Sequence, residues 1–235
     1  MIVYGRNAVR EAIRGPRSVG RIWASASAAR EAWIAELRTT TVDDAELERL
    51  GGSPDHQGVC AEVEEYRYAG AGALLDADDA LVVCLDEVQD PRNLGAICRV
   101  AECAGAAGVV IPERRSAQVT AVVCKASAGA VEHLPVARVR NVADWLGDAK
   151  ERGAWVYGAS ATDAVPYDRP DYRGRVVVVF GSEGRGLRPR VRAACDELIA
   201  LPVRGRVASL NVSAAASAVV YGILQFRATA VDKAP

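Results

Sequence analysis

Val176–Gly186 reads VVVVFGSEGRG: five apolar residues, four of them β-branched, run without a break into a loop holding three glycines. A continuous apolar run of this length fits a strand covered on both faces of a parallel sheet. Glycines directly after such a strand let the backbone approach a ligand closely. The pattern is not GxGxxG, and it falls late in the chain. A dinucleotide-binding unit carries its glycine loop after the first strand, with an acid about 20 residues on. The phosphate-loop pattern GxxxxGK[ST] is absent as well. The loop therefore points to a ligand without naming it, and a nicotinamide oxidoreductase is disfavoured.

Working outward, residues 80–235 alternate strand and helix patterns. Strands are expected at 81–85, 108–111, 155–157, 175–180 and 197–201, and helices at 93–104, 117–129, 142–152, 190–195 and 210–228. That alternation predicts an α/β domain with a mostly parallel sheet. Residues 1–63 read as a small α/β unit: a helix over 7–13, a strand at 21–24, one helix across 27–37, a helix over 43–50 and a strand at 58–63. Residues 64–79, EEYRYAGAGALLDADD, mix charge with small residues and read as a linker.

The 235 residues carry a formal net charge of −1, but the charge is unevenly placed. Residues 1–40 hold seven Arg against three Glu, residues 41–87 hold two Arg against thirteen acids, and residues 88–235 hold twenty bases against fourteen acids. Both ends can present basic surfaces to an anionic partner. Six cysteines are scattered through apolar stretches without a CxxC pair, and two histidines are too few to complete a zinc site, so reduced buried thiols and no metal are expected. No apolar run reaches about 18 residues, so no membrane span is expected. MIVYGRNAVREAIRG at the start lacks a signal-peptide layout, which gives a cytosolic address. His56 and His133 lie in no nucleophile-elbow context, which argues against serine or cysteine hydrolysis.

Two further segments could carry chemistry. In Asp90–Gly105, DPRNLGAICRVAECAG, a strand gives way to a helix, and Asn93 can either cap that helix or face a ligand. Arg99 follows under two turns later, with Gly95 and Cys103 making its neighbourhood small; an ordinary pairing with Glu102 would explain it equally. In Glu197–Ala216, ELIALPVRGRVASLNVSAAA, a strand stops at Pro202, an Arg-Gly-Arg loop intervenes, and Ser209 with Asn211 opens a long helix rich in small residues. Capping explains Ser209 and Asn211 as well as ligand binding does.

In order, NLGAICR, GSEGRG and the LP pair followed by SLNVSAA resemble the three motifs of the SpoU/TrmH family of RNA ribose 2′-O-methyltransferases, within the SPOUT class. YGRNAVREAI resembles the opening of the small RNA-binding domain, of ribosomal-protein type, found in many members. HQGV at 56–59, DPRNLGA at 90–96 and RSAQVTAVVCKASAGAVEHLPVARV at 115–139 resemble the subgroup that modifies a guanosine of bacterial 23S ribosomal RNA. One departure is Val203, where the family pattern has Met.

The resemblance implies a deep trefoil knot in the C-terminal domain, otherwise very rare, a homodimer, and S-adenosyl-L-methionine as cofactor, with no metal. It implies Arg99 as the group that activates the 2′-hydroxyl, with Asn93, Glu183 and Asn211 completing the catalytic set. Gly181, Gly186, Leu201, Ser209 and Leu210 would hold the cofactor, with Ala159 and Ser160 closing over it. Arg6, Asn7, Arg10 and Arg14 would bind structured RNA, with Arg17 and Arg21 as further candidates for phosphate contacts. Ribosomal RNA is favoured over a tRNA loop guanosine, and a ribosomal adenosine is a more distant target. A catalytically silent RNA-binding member of the fold would share the same architecture, but retention of Asn93, Arg99, Glu183, Ser209 and Asn211 speaks against silence.

Overall fold

A computed structural model of the chain describes residues 1–207 and 209–231, with the side chains of residues 230 and 231 left aside. The elements in order are β1 (Ile2–Tyr4), α1 (Arg6–Arg14), β2 (Val19–Ala24), α2 (Ala32–Ala35), β3 (Thr39–Thr41), α3 (Asp44–Gly51) and β4 (Val59–Val63). Then come β5 (Leu81–Asp86), α4 (Pro91–Cys103), β6 (Gly108–Pro112), α5 (Ala121–Ala126), β7 (Val136–Val139), α6 (Val142–Glu151) and β8 (Trp155–Ala159). The chain ends with β9 (Val165–Pro166), β10 (Val176–Gly181), α7 (Pro189–Ala194), β11 (Glu197–Ala200) and α8 (Val212–Val231).

The first seven elements build a four-stranded sheet in the order β1-β4-β2-β3, antiparallel except for the β2–β3 pair. The remainder builds a seven-stranded sheet in the order β7-β6-β5-β10-β8-β11-β9, with every pairing parallel. The VVVVF run sits in β10 at its centre, between β5 and β8. Both faces are covered, as an uninterrupted apolar strand requires. Val176, Val178 and Phe180 enter the core shared with α4 and α8, while Val177 and Val179 enter the one shared with α6 and α7.

Several local expectations change in the folded chain. The single helix expected over 27–37 is a 3₁₀ turn at Ala28–Arg30 and the one-turn α2, because Glu31 between them is extended (φ −69°, ψ 133°). The helix expected over 117–129 shrinks to α5. Residues 117–119 are tied elsewhere: Ala117 N–H donates to Val88 O and Val119 N–H to the Tyr68 hydroxyl, each at 2.9 Å. The strands β1, β3, β7 and β9 are short, two to four residues each, and carry too little periodicity to stand out in the sequence.

Residues 64–79 are no loose tether. Ala69 bridges to Ala137 of the edge strand β7, the Tyr66 hydroxyl donates to Leu134 O at 3.2 Å, and Ala73–Leu75 forms a 3₁₀ turn with Leu74 and Leu75 buried. One continuous core runs from Val3, Val9 and Ile34 of the small unit to Leu85, Ile97 and Phe180 of the large one. Among the described residues no helix is long and apolar enough to cross a membrane.

Candidate active site

The site lies at the carboxyl ends of β8, β10 and β11, where loops of an open parallel sheet converge on a ligand. A cavity of about 530 Å³ opens there, within the range of small-molecule sites. Its walls are Ala159 and Ser160 after β8, Gly181 to Leu187 after β10, and Leu201, Val203, Ser209 and Leu210 after β11, with Phe180, Ile199 and Val212 behind them. Every residue expected to hold a cofactor (Gly181, Leu201, Leu210, Ala159, Ser160, Gly186 and Ser209) lines it, as does the departing Val203. A broader depression of about 850 Å³ lies on the other side of Arg192, lined by Asp163, Pro189 and Asp196. It lacks the glycine wall, and the catalytic set is absent from its lining.

The glycine loop is shaped by close approach. A Cβ on Gly181 would fall 2.1 Å from Gly186 C and 2.4 Å from Leu187 N, so no side chain fits there. Ser182 and Gly186 bridge each other, closing the loop on itself. Gly184 and Gly186 take left-handed backbone (φ +79° and +66°), and a Cβ on either would meet nothing within 4 Å.

Glu183 joins three distant segments. Its Oε1 accepts from Asn93 Nδ2 at 2.9 Å and from Asn211 Nδ2 at 2.8 Å, and Asn211 Nδ2 also donates to Asn93 Oδ1 at 3.1 Å. Asn93 is free for this because Asp90 caps α4, its Oδ1 accepting from Arg92 N–H at 2.8 Å. Asn211 serves both readings of its position: Oδ1 accepts from Ser213 N–H at 2.8 Å as a helix cap, while the amide nitrogen faces the junction. Asn211 thereby uses both of its N–H groups, and among the described residues Asn93 keeps one unspent.

Arg99 stands apart from this junction. It is exposed on α4, it is not on the cavity wall, and among the described residues it forms no pair with Glu102. Six residues of helix turn it about 240° around and carry it about 9 Å along from Asn93. The small neighbour Gly95 serves packing and leaves no room for a substrate: its Cβ would sit 2.5 Å from Ala126 Cβ and 2.9 Å from Ser127 N, so α5 occupies that side.

Among the candidate RNA contacts, Asn7 and Arg14 are exposed, Arg14 beside Glu11 at 3.1 Å. Arg6 pairs with Glu31 at 2.6 Å and donates to Gln57 O at 3.2 Å. Arg10 lies over the Trp33 ring at 4.6 Å. Arg21 is exposed near Trp23. Arg17 is a correction. It is buried against Glu132, so no phosphate reaches it. His56 supports a turn, its Nδ1 accepting from Gly58 N–H at 3.1 Å. His133 follows a 3₁₀ turn, and its ring meets Glu11 at 2.9 Å.

Two arginines were not singled out by sequence. Arg188 N–H and Nε donate to the fully buried Asp86 at 2.8 and 2.7 Å, fixing the exit of the glycine loop to the end of β5. The Asp86 contact pushes the arginine's pKa further up. Arg192 donates to Ser160 Oγ at 2.8 Å and to Thr162 O at 3.3 Å, pinning the loop after β8 over the cavity. An acid at a strand's carboxyl end was the only hint. Among the described residues no cluster of three His, Cys, Asp or Glu is placed to hold a metal ion.

The fold recurs in solved proteins. The SpoU methyltransferase AviRb of Streptomyces viridochromogenes, solved in complex with AdoMet, superposes with a TM-score of 0.84 at 23% identity, covering 97% of this chain and 91% of that one. An AdoMet-bound rRNA methyltransferase of Sinorhizobium meliloti gives 0.81 at 23% identity, over 95% and 86%. The fold is thus that of the RNA methyltransferases.

Within that class the chain belongs to the SpoU rRNA methylase family, which residues 80–221 match, while residues 2–69 match the RNA 2′-O ribose methyltransferase substrate-binding family. YacO of Bacillus subtilis, carried under the TrmH family of tRNA/rRNA methyltransferases, is 38% identical over 96% of this chain and 95% of its own length. An uncharacterized tRNA/rRNA methyltransferase of Synechocystis is also 38% identical over 96% of this chain, which spans 62% of that relative's length.

Proposed function

We propose that this chain transfers a methyl group from S-adenosyl-L-methionine to a ribose 2′-hydroxyl in RNA, most specifically a guanosine of 23S ribosomal RNA, in the cytoplasm. The observation that carries this reading is the Asn93–Glu183–Asn211 junction beside a glycine-walled cavity. The cavity fits the cofactor. Gly184 and Gly186 leave open space where side chains would stand, and Phe180, Ile199, Leu201 and Leu210 offer an apolar bed for a purine. Backbone groups of the glycine loop and of Ala159–Ser160 would hold its polar edges.

The cofactor supplies, when bound, a sulfonium methyl that is electrophilic without further activation. The chain's own work is to align the ribose and to stabilise charge. Asn93, with one N–H unspent, orients the ribose or its phosphate. Glu183 and Asn211 hold that amide in one rotamer. Arg99 keeps its proton in nearly every setting, so it acts by stabilising the developing oxyanion, while the adjacent phosphate accepts the proton. Exposed on α4, Arg99 is open to an RNA that lies along the solvent side of that helix.

Residues 1–63 form the RNA-binding unit in this reading, 64–79 connect it, and 80–235 form the SPOUT domain, threaded as a trefoil knot. Asn7 contacts RNA from an exposed position; Arg6, Arg10 and Arg14 do so while sharing their present partners, Arg14 being the most exposed of the three. A homodimer places the outer stripe of α8 (Ala214, Ala218, Tyr221 and Gln225), exposed here, against the partner subunit. The test is to incubate the protein with labelled S-adenosylmethionine and either ribosomal RNA or tRNA lacking natural methyl groups, then map the labelled ribose. Label on tRNA alone makes tRNA the substrate instead, and label on neither sinks the proposal.

A further inference from the structure

A buried ion pair joins the two sheets of this molecule, and the proposed chemistry does not use it. Arg17 follows α1; Glu132 ends the 3₁₀ turn after α5, 115 residues later. Their side chains are 5% and 0% exposed. Arg17 Nε donates to Glu132 Oε2 at 2.8 Å, and a terminal nitrogen donates to the other oxygen, making a two-point contact. The remaining terminal nitrogen donates to Glu64 O at 2.8 Å, and the guanidinium lies 5.6 Å from the centre of the Tyr66 ring. One side chain thus ties together the small sheet unit, the connecting strap and the large domain.

The surrounding surfaces meet at backbone distance. A Cβ on Gly15 would lie 2.9 Å from Glu132 Cβ, and one on Gly129 would lie 2.5 Å from Glu11 Cβ and 3.1 Å from Asn7 O. Glu11 also meets the His133 ring. One face of α1, along Asn7, Glu11 and the following Gly15, is therefore pressed onto the segment 129–133, beside the stripe that bears Arg6, Arg10 and Arg14.

Contacts between units of one chain are commonly polar and mobile. A desolvated pair is different. It adds little net stability over apolar groups, but a two-point guanidinium–carboxylate contact sets angle as well as distance, and breaking it strands a buried charge. From this we infer that Arg17 and Glu132 are positioning residues that lock the RNA-binding unit at one orientation to the cavity, so that the enzyme selects RNAs whose gripped element and target ribose stand a fixed distance apart. This rests on the function proposed above.

The test uses the full chain with Glu132→Gln, Arg17→Lys and the apolar pair Arg17→Met with Glu132→Leu. Hydrogen exchange is followed over residues 5–17 and 129–134, with S-adenosylmethionine affinity and methyl-transfer kinetics on a ribosomal RNA fragment. Glu132→Gln is expected to leave cofactor affinity unchanged, to speed exchange in both segments, and to raise KM for the RNA by roughly tenfold with kcat little altered, the scale of one lost oriented contact. The apolar pair is expected to recover thermal stability while KM stays high. Should Glu132→Gln not fold, Arg17→Lys, which keeps the charge and loses the two-point contact, gives the same readings. Wild-type KM in Glu132→Gln, or recovery of KM by the apolar pair, overturns the inference, since either outcome reduces the pair to packing. If wild-type protein methylates no RNA, the function reading fails, whereas locking still stands or falls on the exchange rates.

Discussion

Asn93 Nδ2 and Glu183 Oε1 lie 2.9 Å apart, joining the first turn of α4 to a loop 90 residues further along the chain. The same oxygen takes the Asn211 amide, so one carboxylate orients two amides that stand 118 residues apart in the chain. Glu183→Ala is expected to let both amides rotate. Methyl transfer should fall by about 10²-fold, on the scale of losing one oriented donor at a reacting group, while S-adenosylmethionine affinity changes much less. Single-turnover rates alongside calorimetric binding check this; an unaltered rate removes the junction from the mechanism.

In the proposed mechanism Arg99 serves only charge that develops on the ribose oxygen, so Arg99→Ala should keep the cofactor dissociation constant and lose methyl transfer. Arg99→Lys should recover little, since a point charge replaces a planar fork. Wild-type turnover in Arg99→Ala would assign the oxyanion to another cation.

Gly181→Ala places a methyl 2.1 Å from Gly186 C, and a backbone cannot yield as a flexible side chain does. The loop must shift, and cofactor binding is expected to vanish. Gly95→Ala collides with Ala126 and Ser127 on the α5 side of α4, off the cavity wall. It should cost about 1–3 kcal/mol by overpacking yet leave the affinity of the remaining folded protein intact. Denaturant midpoints and binding isotherms for the two variants separate pocket from packing.

Burial holds four thiols in their neutral form: Cys60 and Cys124 are pushed up to about 11, Cys98 and Cys195 to about 12. Because the thiolate is the nucleophile, raised values mean protection at pH 8 and reactivity only well above it. Cys84 is also buried and raised; Cys103 is raised as well, by partial desolvation and the neighbouring Glu102, but it is exposed to reagent. Mild alkylation of native protein should therefore label Cys103 first, with the rest following in denaturant. Rapid native labelling of Cys98 or Cys124 would contradict the packing described.

Replacing Arg14 or Arg21, exposed cations of the small unit, should weaken RNA binding and lower the slope of log affinity against log salt by about one each. Arg17 replacement should instead act through the buried pair, with thermal stability falling as well. Equal slopes for the Arg14 variant and wild type would remove that residue from the RNA surface.

The amino-acid sequence determined those features that are local or periodic. The unbroken VVVVF run fitted a strand covered on both faces, the alternation after residue 80 predicted an α/β layer, and the glycines after Phe180 pointed to a ligand. Tertiary structure decided what depends on contacts across the chain. Arg17 and Arg14 look alike as basic residues near one helix, yet one is buried on Glu132 and the other meets solvent, because burial is set by a surface 115 residues away. Asn93 could have been a cap until Asp90 took that role. Residues 117–119 lost their helix because Val88 and Tyr68 offered their backbone better partners. Local pattern records which face a residue prefers, and only packing settles which neighbour it meets there.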